Sequence, residues 1–270
     1  MTTSEASDYK LFITAIFVAF ALLELLRGRF LNRQTRPRDL VIEVVSTVSI
    51  MAFTVPSILW LVDALGSALL PELRDAWASW PWWAMLGVLL VADDMTQYWW
   101  HRANHAVPWL FHLHRAHHTA GYMSVRIVYR NNVFYYWLMP GLWLSAGLVF
   151  LGFGPVYAVY VVVKMAVIVG AHSSVRWDEP LYRNRVGAKL MWVLERLIST
   201  PATHNAHHGR HAEDPATFYA GNYGNLLFLW DVLFGTARIT RTYPEAYGVE
   251  DEAPRSWKNE LLWPLFRGRE

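Results

Sequence analysis

The chain has 270 residues, 54% of them hydrophobic and 17% charged, with a mean hydropathy of +0.17 and a formal net charge of +2. A soluble domain carries about 25% charged residues, so this composition excludes a disordered chain, a nucleic-acid-binding arm and a coiled coil, and it points to an integral membrane protein. The absence of cysteine excludes disulfides, zinc ribbons, iron–sulfur clusters, thiolate haem and cysteine nucleophiles, and leaves nitrogen and oxygen ligands for any metal.

Residues 1–10 hold Glu5, Asp8 and Lys10 without a basic cluster, so the first apolar segment, 11–26, is expected to be retained as an anchor rather than removed as a signal. Glu24 near its end needs a partner. A second segment, 40–62, is long enough to span, since roughly 20 residues are needed; Glu43 lies near its start and Pro56 inside it. The third, 82–100, contains Asp93 and Asp94, which are costly in lipid and are expected to face inward. A fourth, 133–151, and a fifth, 155–170, are separated only by the Gly-Phe-Gly-Pro of 152–155, so the two form a hairpin. Lys164 sits inside the fifth. Residues 187–198 place apolar side chains at helical spacing among charges, the pattern of a helix lying on the membrane surface.

Loop 27–39 carries Arg27, Arg29, Arg33, Arg36 and Arg38 and is expected to be cytoplasmic, whereas loop 63–81 carries Asp63, Glu72 and Asp75 beside Arg74. Alternation then puts 101–132 and everything after 170 in the cytoplasm, and all eleven histidines with them. The expected fold is an all-α integral membrane protein with four or five transmembrane helices and a cytoplasmic, histidine-rich helical cap. It forms a single domain over 1–270: anchor spans over 1–92, a catalytic region over 93–240 and a cytoplasmic tail over 241–270. The 15 Trp suit the membrane–water interfaces. The excess of Arg over Lys is a compositional sign of a bacterial genome, and so of a bacterial inner membrane rather than endoplasmic reticulum.

Six histidines fall in the window 101–118. His101 and His105 form one group, His114, His117 and His118 a second, and His204, His207 and His208 a third. Positions i, i+3 and i+4 share one helix face, so each group aims its imidazoles at one point. Eight nitrogen donors exceed what one tetrahedral zinc takes and suit two metal ions. The zincin pattern His-Glu-x-x-His is absent. His112 and His211 fall outside the groups and read as hydrogen-bonding or exposed residues.

With these groups on the page, the chain resembles the sterol desaturase / fatty acid hydroxylase superfamily of membrane di-iron enzymes. The marks are Asp94-x-x-Gln-Tyr-Trp-Trp-His101-Arg-x-x-His105, Leu110-Phe-His-Leu-His114-Arg-Ala-His117-His118, Pro201-Ala-Thr-His204-Asn-Ala-His207-His208, Asn222-Tyr223-Gly224 and Trp230-Asp231-x-x-Phe234-Gly235-Thr236. The family also has a histidine ending the span before the third motif, and His172 occupies that place. The resemblance implies two iron ions held by these nine histidines, O2 as cosubstrate and a lipid C–H bond as target, to be hydroxylated or desaturated. Relatives act on sterols, fatty acyl chains and related lipids. Ether-cleaving relatives often carry Glu directly after the first motif, where this chain has Ala106. No cytochrome b5-like segment, flavin or nicotinamide fingerprint is present, so electrons are expected from a separate cytochrome b5-like, ferredoxin or reductase partner.

Asp94, seven residues before His101, is expected to accept an N–H from a ligand imidazole and fix its tautomer. Asp231 is expected either to support a ligand or to cap the last helix. Arg126 and Asn131 stand where the family often has an Arg and a polar residue. Lys164 is expected along the substrate's path, pairing with Glu43, Asp93 or a lipid head group. The lipid route is expected between the spans and the 187–198 helix, past Val167 and Val193. The reading from another class is a metal transporter or a lipid-binding protein without catalysis. One-sided clustering argues against the transporter, and the complete histidine set against the second.

Overall fold

The computed structural model describes residues 3–31, 33–251 and 255–267, with side chains from Tyr9 onward, so Glu5 and Asp8 lie outside the described side chains. Its regular elements are helical; among the described residues the only β pairing is two isolated bridges. Helix α1 is Thr3–Leu26, α2 is Pro37–Leu69, α3 covers 82–106, α4 is Pro108–His118 and α5 is Pro140–His172. Smaller helices follow: α6 (Arg185–Leu197), α7 (Pro201–His207), α8 (Leu229–Leu233) and α9 (Trp257–Leu262). Proline opens α2, α4, α5 and α7, where its missing N–H has no helical partner to lose.

Three of these helices are long and apolar enough to cross a membrane: α1 over Tyr9–Leu26, α2 and α5. Helix α5 is not straight. Gly152 breaks it with φ 109°, ψ 9°. Gly141 lies against Asp93, where an added Cβ would stand 3.0 Å from Asp93 Oδ1, and Lys164 Nζ is 2.7 Å from Asp93 Oδ2. In a straight helix those two positions would be roughly 35 Å apart. The chain therefore doubles back at Gly152, and Pro140–Leu148 and Gly154–His172 are the legs of the expected hairpin. A Cβ at Gly152 would lie 2.8 Å from Ala78 N and 2.9 Å from Ala78 Cα. Gly152→Ala is expected to destabilise the fold by about 1–3 kcal/mol from the positive φ alone, read as a lower thermal midpoint in detergent. Gly147→Ala, which meets nothing within 4 Å inside the first leg, is expected to leave it unchanged or raise it.

The molecule has two distinguishable ends. The tip of the α5 hairpin sits under the 70–81 loop, where Asp75 and Trp77 donate backbone N–H groups to Phe150 and Leu151 (3.0 and 2.9 Å). The basic 27–39 loop lies at the opposite end, where Arg29 donates to the Ser174 carbonyl just beyond His172 (2.8 Å).

Buried polar groups at the histidine end are satisfied by specific partners. Glu24 accepts from Ser124 Oγ, Ser173 Oγ and the backbone N–H groups of Val125 and Ser174 at 2.6–3.1 Å, which fastens α1 beside His172. Arg130 reaches Asp39 at 2.9 Å and donates to the Ala116 carbonyl at 2.6 Å, while Arg126 meets Glu43 at 3.2 Å. Described residues of the expected 241–270 tail pack on the bundle: Leu261 is buried in α9, and Glu260 pairs with buried Arg115 of α4.

Candidate metal centre

Nine histidines converge at the end of the helical bundle. His101 and His105 come from the last turns of α3, and His114, His117 and His118 from α4. His172 ends α5, and His204, His207 and His208 come from α7 and its cap. They divide into two groups, each with nitrogen atoms all within 4.8 Å of one another. His101, His105, His114, His118 and His207 form one, and His117, His172, His204 and His208 the other. Each sequence group contributes to both, except the His101/His105 pair. The two groups touch through His118 and His208, whose rings stack at 4.4 Å.

Hydrogen bonds decide which ring nitrogen faces inward. The Nδ1 atoms of His101, His117, His172 and His207 lie 2.7–3.1 Å from the carbonyl oxygens of Tyr223, Ile127, Ile168 and Gly221. His114 Nδ1 lies 2.8 Å from Asn131 Oδ1. An oxygen of this kind can only accept, so each Nδ1 carries the hydrogen and each Nε2 keeps a lone pair. Burial pushes the His101 imidazole down to about 4 and holds His105, His114, His117, His118, His204, His207 and His208 well below the ordinary value, so the rings are neutral.

The consequence is an array of lone pairs facing one another. His101 and His207 Nε2 stand 3.0 Å apart in one group, and His117 and His172 Nε2 stand 3.3 Å apart in the other. All four of these rings carry their hydrogen on Nδ1, so no proton lies between the facing nitrogens. His105 Nε2 is buried and has no hydrogen-bond partner among the described residues. Two imidazoles bound to one ion at about 2.0–2.1 Å stand close to these separations. The donor set therefore fits two cations, one per group, held by imidazole nitrogen alone. Imidazole suits iron, zinc, copper or nickel.

The supporting groups correct one expectation. Asp94 touches no imidazole. Its carboxylate accepts from the backbone N–H groups of Leu226 and Leu227 (3.3 and 3.1 Å) and from Trp230 Nε1 (2.8 Å). The cause is the wide π turn at Leu90–Met95, which shifts the helix register. It turns Asp93, not Asp94, toward the side that holds His101. Asp93 carries the contacts that sequence spacing did not assign to it: Lys164 at 2.7 Å and Tyr160 Oη at 2.9 Å. Lys164 thus pairs with one of its expected carboxylates.

Asp231 accepts from the backbone N–H groups of Tyr223 (2.8 Å) and Gly224 (2.6 Å) and from Thr236 Oγ1 (2.6 Å). It clamps the loop whose carbonyls, at Gly221 and Tyr223, receive His207 and His101. Between them Asn222 adopts φ 58° and donates to the carbonyls of Thr203 and Arg238, both at 2.9 Å. Sequence reasoning noted Asn222-Tyr223-Gly224 but not these acceptors, because a carbonyl has no residue signature. Asn131 is likewise an acceptor for a ligand ring. Asn131→Leu is expected to free the His114 ring and lower metal affinity by about 10–100-fold, measured by competition with a chelator. The His112 ring lies tilted against Trp263, with centroids 4.8 Å apart, and His211 pairs with Glu250 in a partly exposed trio with Glu213, outside both groups of the nine.

A cavity of about 420 Å³ opens beside the histidines. His101, His114, His117 and His172 form its floor, and its mostly apolar walls come from α1, α2 and both legs of α5, with Ile13, Met51, Val55, Leu142, Val161 and Ile168 among them. Lys164 lines it. Val167 and Val193 do not: Val167 lines a separate shallow pocket with Trp177, and Val193 lies exposed on α6. The cavity lies between the first, second, fourth and fifth expected spans, not beside the 187–198 helix where the route was expected. Sequence reasoning placed the helices but not their order around the histidines.

The fatty acid hydroxylase family model matches residues 86–236, more than half of the chain. The chain belongs to the fatty acid hydroxylase family. This agrees with the resemblance read in its histidine motifs. An alkylglycerol monooxygenase from Homo sapiens is 27% identical over 247 residues, covering 87% of this chain and 49% of that protein. Alkylglycerol monooxygenases from Danio rerio and Xenopus tropicalis are 29% and 28% identical, each over 59% of this chain and 31% of the relative. The chain thus spans about a third to a half of the length of these curated relatives. No solved structure matches it.

Proposed function

We propose that this protein is a membrane-bound, O2-dependent di-iron oxidoreductase that hydroxylates a lipid C–H bond. The observation that carries this reading is the juxtaposition of two all-imidazole groups with one mostly apolar cavity. His101, His105, His114, His118 and His207 would hold one iron, and His117, His172, His204 and His208 the other. A reduced iron pair supplies the O2 activation that side chains alone cannot. The overall balance is one lipid C–H bond, O2, two electrons and two protons giving an alcohol and water.

The chain's own groups prepare the site. The carbonyls of Tyr223, Ile127, Ile168 and Gly221 and the Asn131 amide orient the rings, and Asp231 and Asp94 hold the loop that carries two of those carbonyls. The apolar walls bury a hydrocarbon chain at about 0.8 kcal/mol per CH2 and keep water from the reacting carbon. Electrons come from a separate partner protein of the cytochrome b5, ferredoxin or reductase kind.

The same reading places the chain in the membrane as a single domain, with the α5 hairpin supplying two spans and α1, α2 and α3 the others. The basic 27–39 loop shares an end with the histidines, so the positive-inside rule puts the cap in the cytoplasm, in a bacterial inner membrane. The exposed apolar face of α6, with Val186, Leu190, Val193 and Leu197, rests on the membrane surface.

The test is iron-loaded protein in lipid nanodiscs with a reducing partner and 18O2. The lipid named by the relatives, an alkylglycerol, is tried first; Ala106, where ether-cleaving relatives often carry Glu, makes lipids without an ether the necessary comparison. The expected result is 18O in a lipid product. Lipid-independent O2 consumption with no labelled product in any lipid class would remove the proposal.

A further inference from the structure

A second concavity, of about 470 Å³, lies at the histidine end and shares no lining residue with the lipid cavity. Its walls come from the basic 33–39 segment, the end of α4, and the loops at 210 and 246–249. Arg33, Arg36, Arg38, Arg115 and Arg210 line it, against the single carboxylate of Asp39. Asp39 is already held by Arg130 at 2.9 Å, and Arg115 by Glu260. Arg38 stands 4.0 Å from Asp39 and donates to the Arg255 carbonyl (2.8 Å). Arg33, Arg36 and Arg210 are exposed and make no ion pair among the described residues, so the basin carries an uncompensated positive charge. It also adjoins the metal centre. Thr119 in its wall follows His118, and Gly248 donates its backbone N–H to the His208 carbonyl (3.3 Å). Tyr247 Oη donates to Asn205, beside His204, at 2.8 Å. His118 and His208 are the stacked pair where the two groups meet, and neither lines the lipid cavity.

We propose that this basin is the docking site of the electron-donor protein, a one-electron carrier that presents a cluster of Asp and Glu side chains to Arg33, Arg36 and Arg210. The inference rests on the reading of the protein as an oxygenase that takes its electrons from outside. Guanidinium forks match carboxylates in bidentate pairs, and facing patches of opposite charge speed encounter and fix orientation. The substrate meets His101, His114, His117 and His172, whereas the carrier meets the wall beside His118 and His208, so the two do not compete for one opening. Two reduced carriers dock in turn. Each loses one electron and leaves oxidised, and together they supply the two electrons that hydroxylation consumes. Arg210 and the 246–249 loop belong to the cap rather than to the end of a span, which favours a soluble carrier over a phospholipid head group.

The experiment titrates the full chain in phosphatidylcholine nanodiscs with cytochrome b5 and with a plant-type ferredoxin, both acidic, by biolayer interferometry, with iron content and thermal midpoint recorded. Wild type is expected to bind at least one carrier. Its affinity is expected to fall steeply as ionic strength rises from about 0.1 M to about 1 M, where the screening length drops from about 10 Å to about 3 Å. Combined Arg33→Glu, Arg36→Glu and Arg210→Glu is expected to weaken binding by about tenfold or more, with iron unchanged. The KM for the carrier is expected to rise while kcat at saturating carrier is kept. Lys at the same three positions is expected to retain most of the binding. Combined Arg33→Ala and Arg210→Ala, which leaves the start of α2 intact, is expected to weaken binding by a smaller factor and decides the question should the charge-reversed protein fail to fold. Equal binding by wild type and the charge-reversed protein, including no binding of either carrier, would overturn the proposal. So would unchanged carrier binding with loss of phosphatidylglycerol that co-purifies with wild type, which would make the basin a head-group site. Salt-sensitive binding that the charge reversal abolishes, in a protein that oxidises no lipid, would instead remove the monooxygenase reading and leave the docking site standing.

Discussion

Replacing His117 or His207 by Ala is expected to reduce lipid turnover by at least about 100-fold, beyond the loss typical of a residue that only orients a ligand. The two residues belong to different groups, so each variant tests one metal position. In each case a lone pair leaves the array and a buried carbonyl, Ile127 or Gly221, loses its donor. The remaining rings of that group are expected to hold iron too weakly to survive purification, so iron content falls by about half in either variant. Membrane insertion is expected to be unaffected, because both residues lie beyond the apolar spans. His211→Ala, on the partly exposed trio away from the nine, is expected to keep wild-type iron and turnover. Full turnover in both His117→Ala and His207→Ala would remove the di-iron assignment.

The second large effect is expected at Asp231. Its carboxylate accepts three hydrogen bonds, from Tyr223 N, Gly224 N and Thr236 Oγ1, and it is fully buried. Asp231→Leu leaves those donors without a partner, at about 1–3 kcal/mol for each buried group left unsatisfied. The clamp also sets the carbonyls that receive His101 and His207. Loss of stability and loss of iron are therefore expected together. Asp231→Asn, which keeps one acceptor, is expected to lie between wild type and Asp231→Leu on both measures. An Asp231→Leu protein with an unchanged midpoint and unchanged iron would show that the loop is held by other contacts.

Most of the ligand constellation is legible because it is local. A spacing of i, i+3 and i+4 forces His114, His117 and His118 onto one helix face wherever that helix goes. His172 is different. It stands alone at the end of α5, and only the family pattern singled it out; its nitrogen atoms do reach the second group. The hairpin was legible for a related reason, since four residues around Gly152 and Pro155 leave no room for anything but reversal.

What the sequence hid is non-local or lacks a residue signature. The π turn at Leu90–Met95 puts Asp93 rather than Asp94 on the cavity wall with His101, and periodicity at 3.6 residues per turn cannot reveal it. The cavity beside the histidines depends on how α1, α2 and α5 surround α3. Consequently Val167 and Val193, apolar and near the right helices, face elsewhere. The carbonyl acceptors at Gly221 and Tyr223 belong to the backbone. The one side-chain sign of them was the cluster of Asn222, Gly224 and Asp231, residues that favour tight turns and backbone hydrogen bonds.

The central claim is that nine neutral imidazoles hold a pair of iron ions beside a lipid chamber. It is tested most directly by metal quantification and iron-edge X-ray absorption on purified protein reconstituted anaerobically with Fe(II). The account predicts two irons per chain, a first coordination shell dominated by imidazole nitrogen, and an iron–iron scattering path. A single iron per chain, or a shell of oxygen ligands without imidazole scattering, would contradict it.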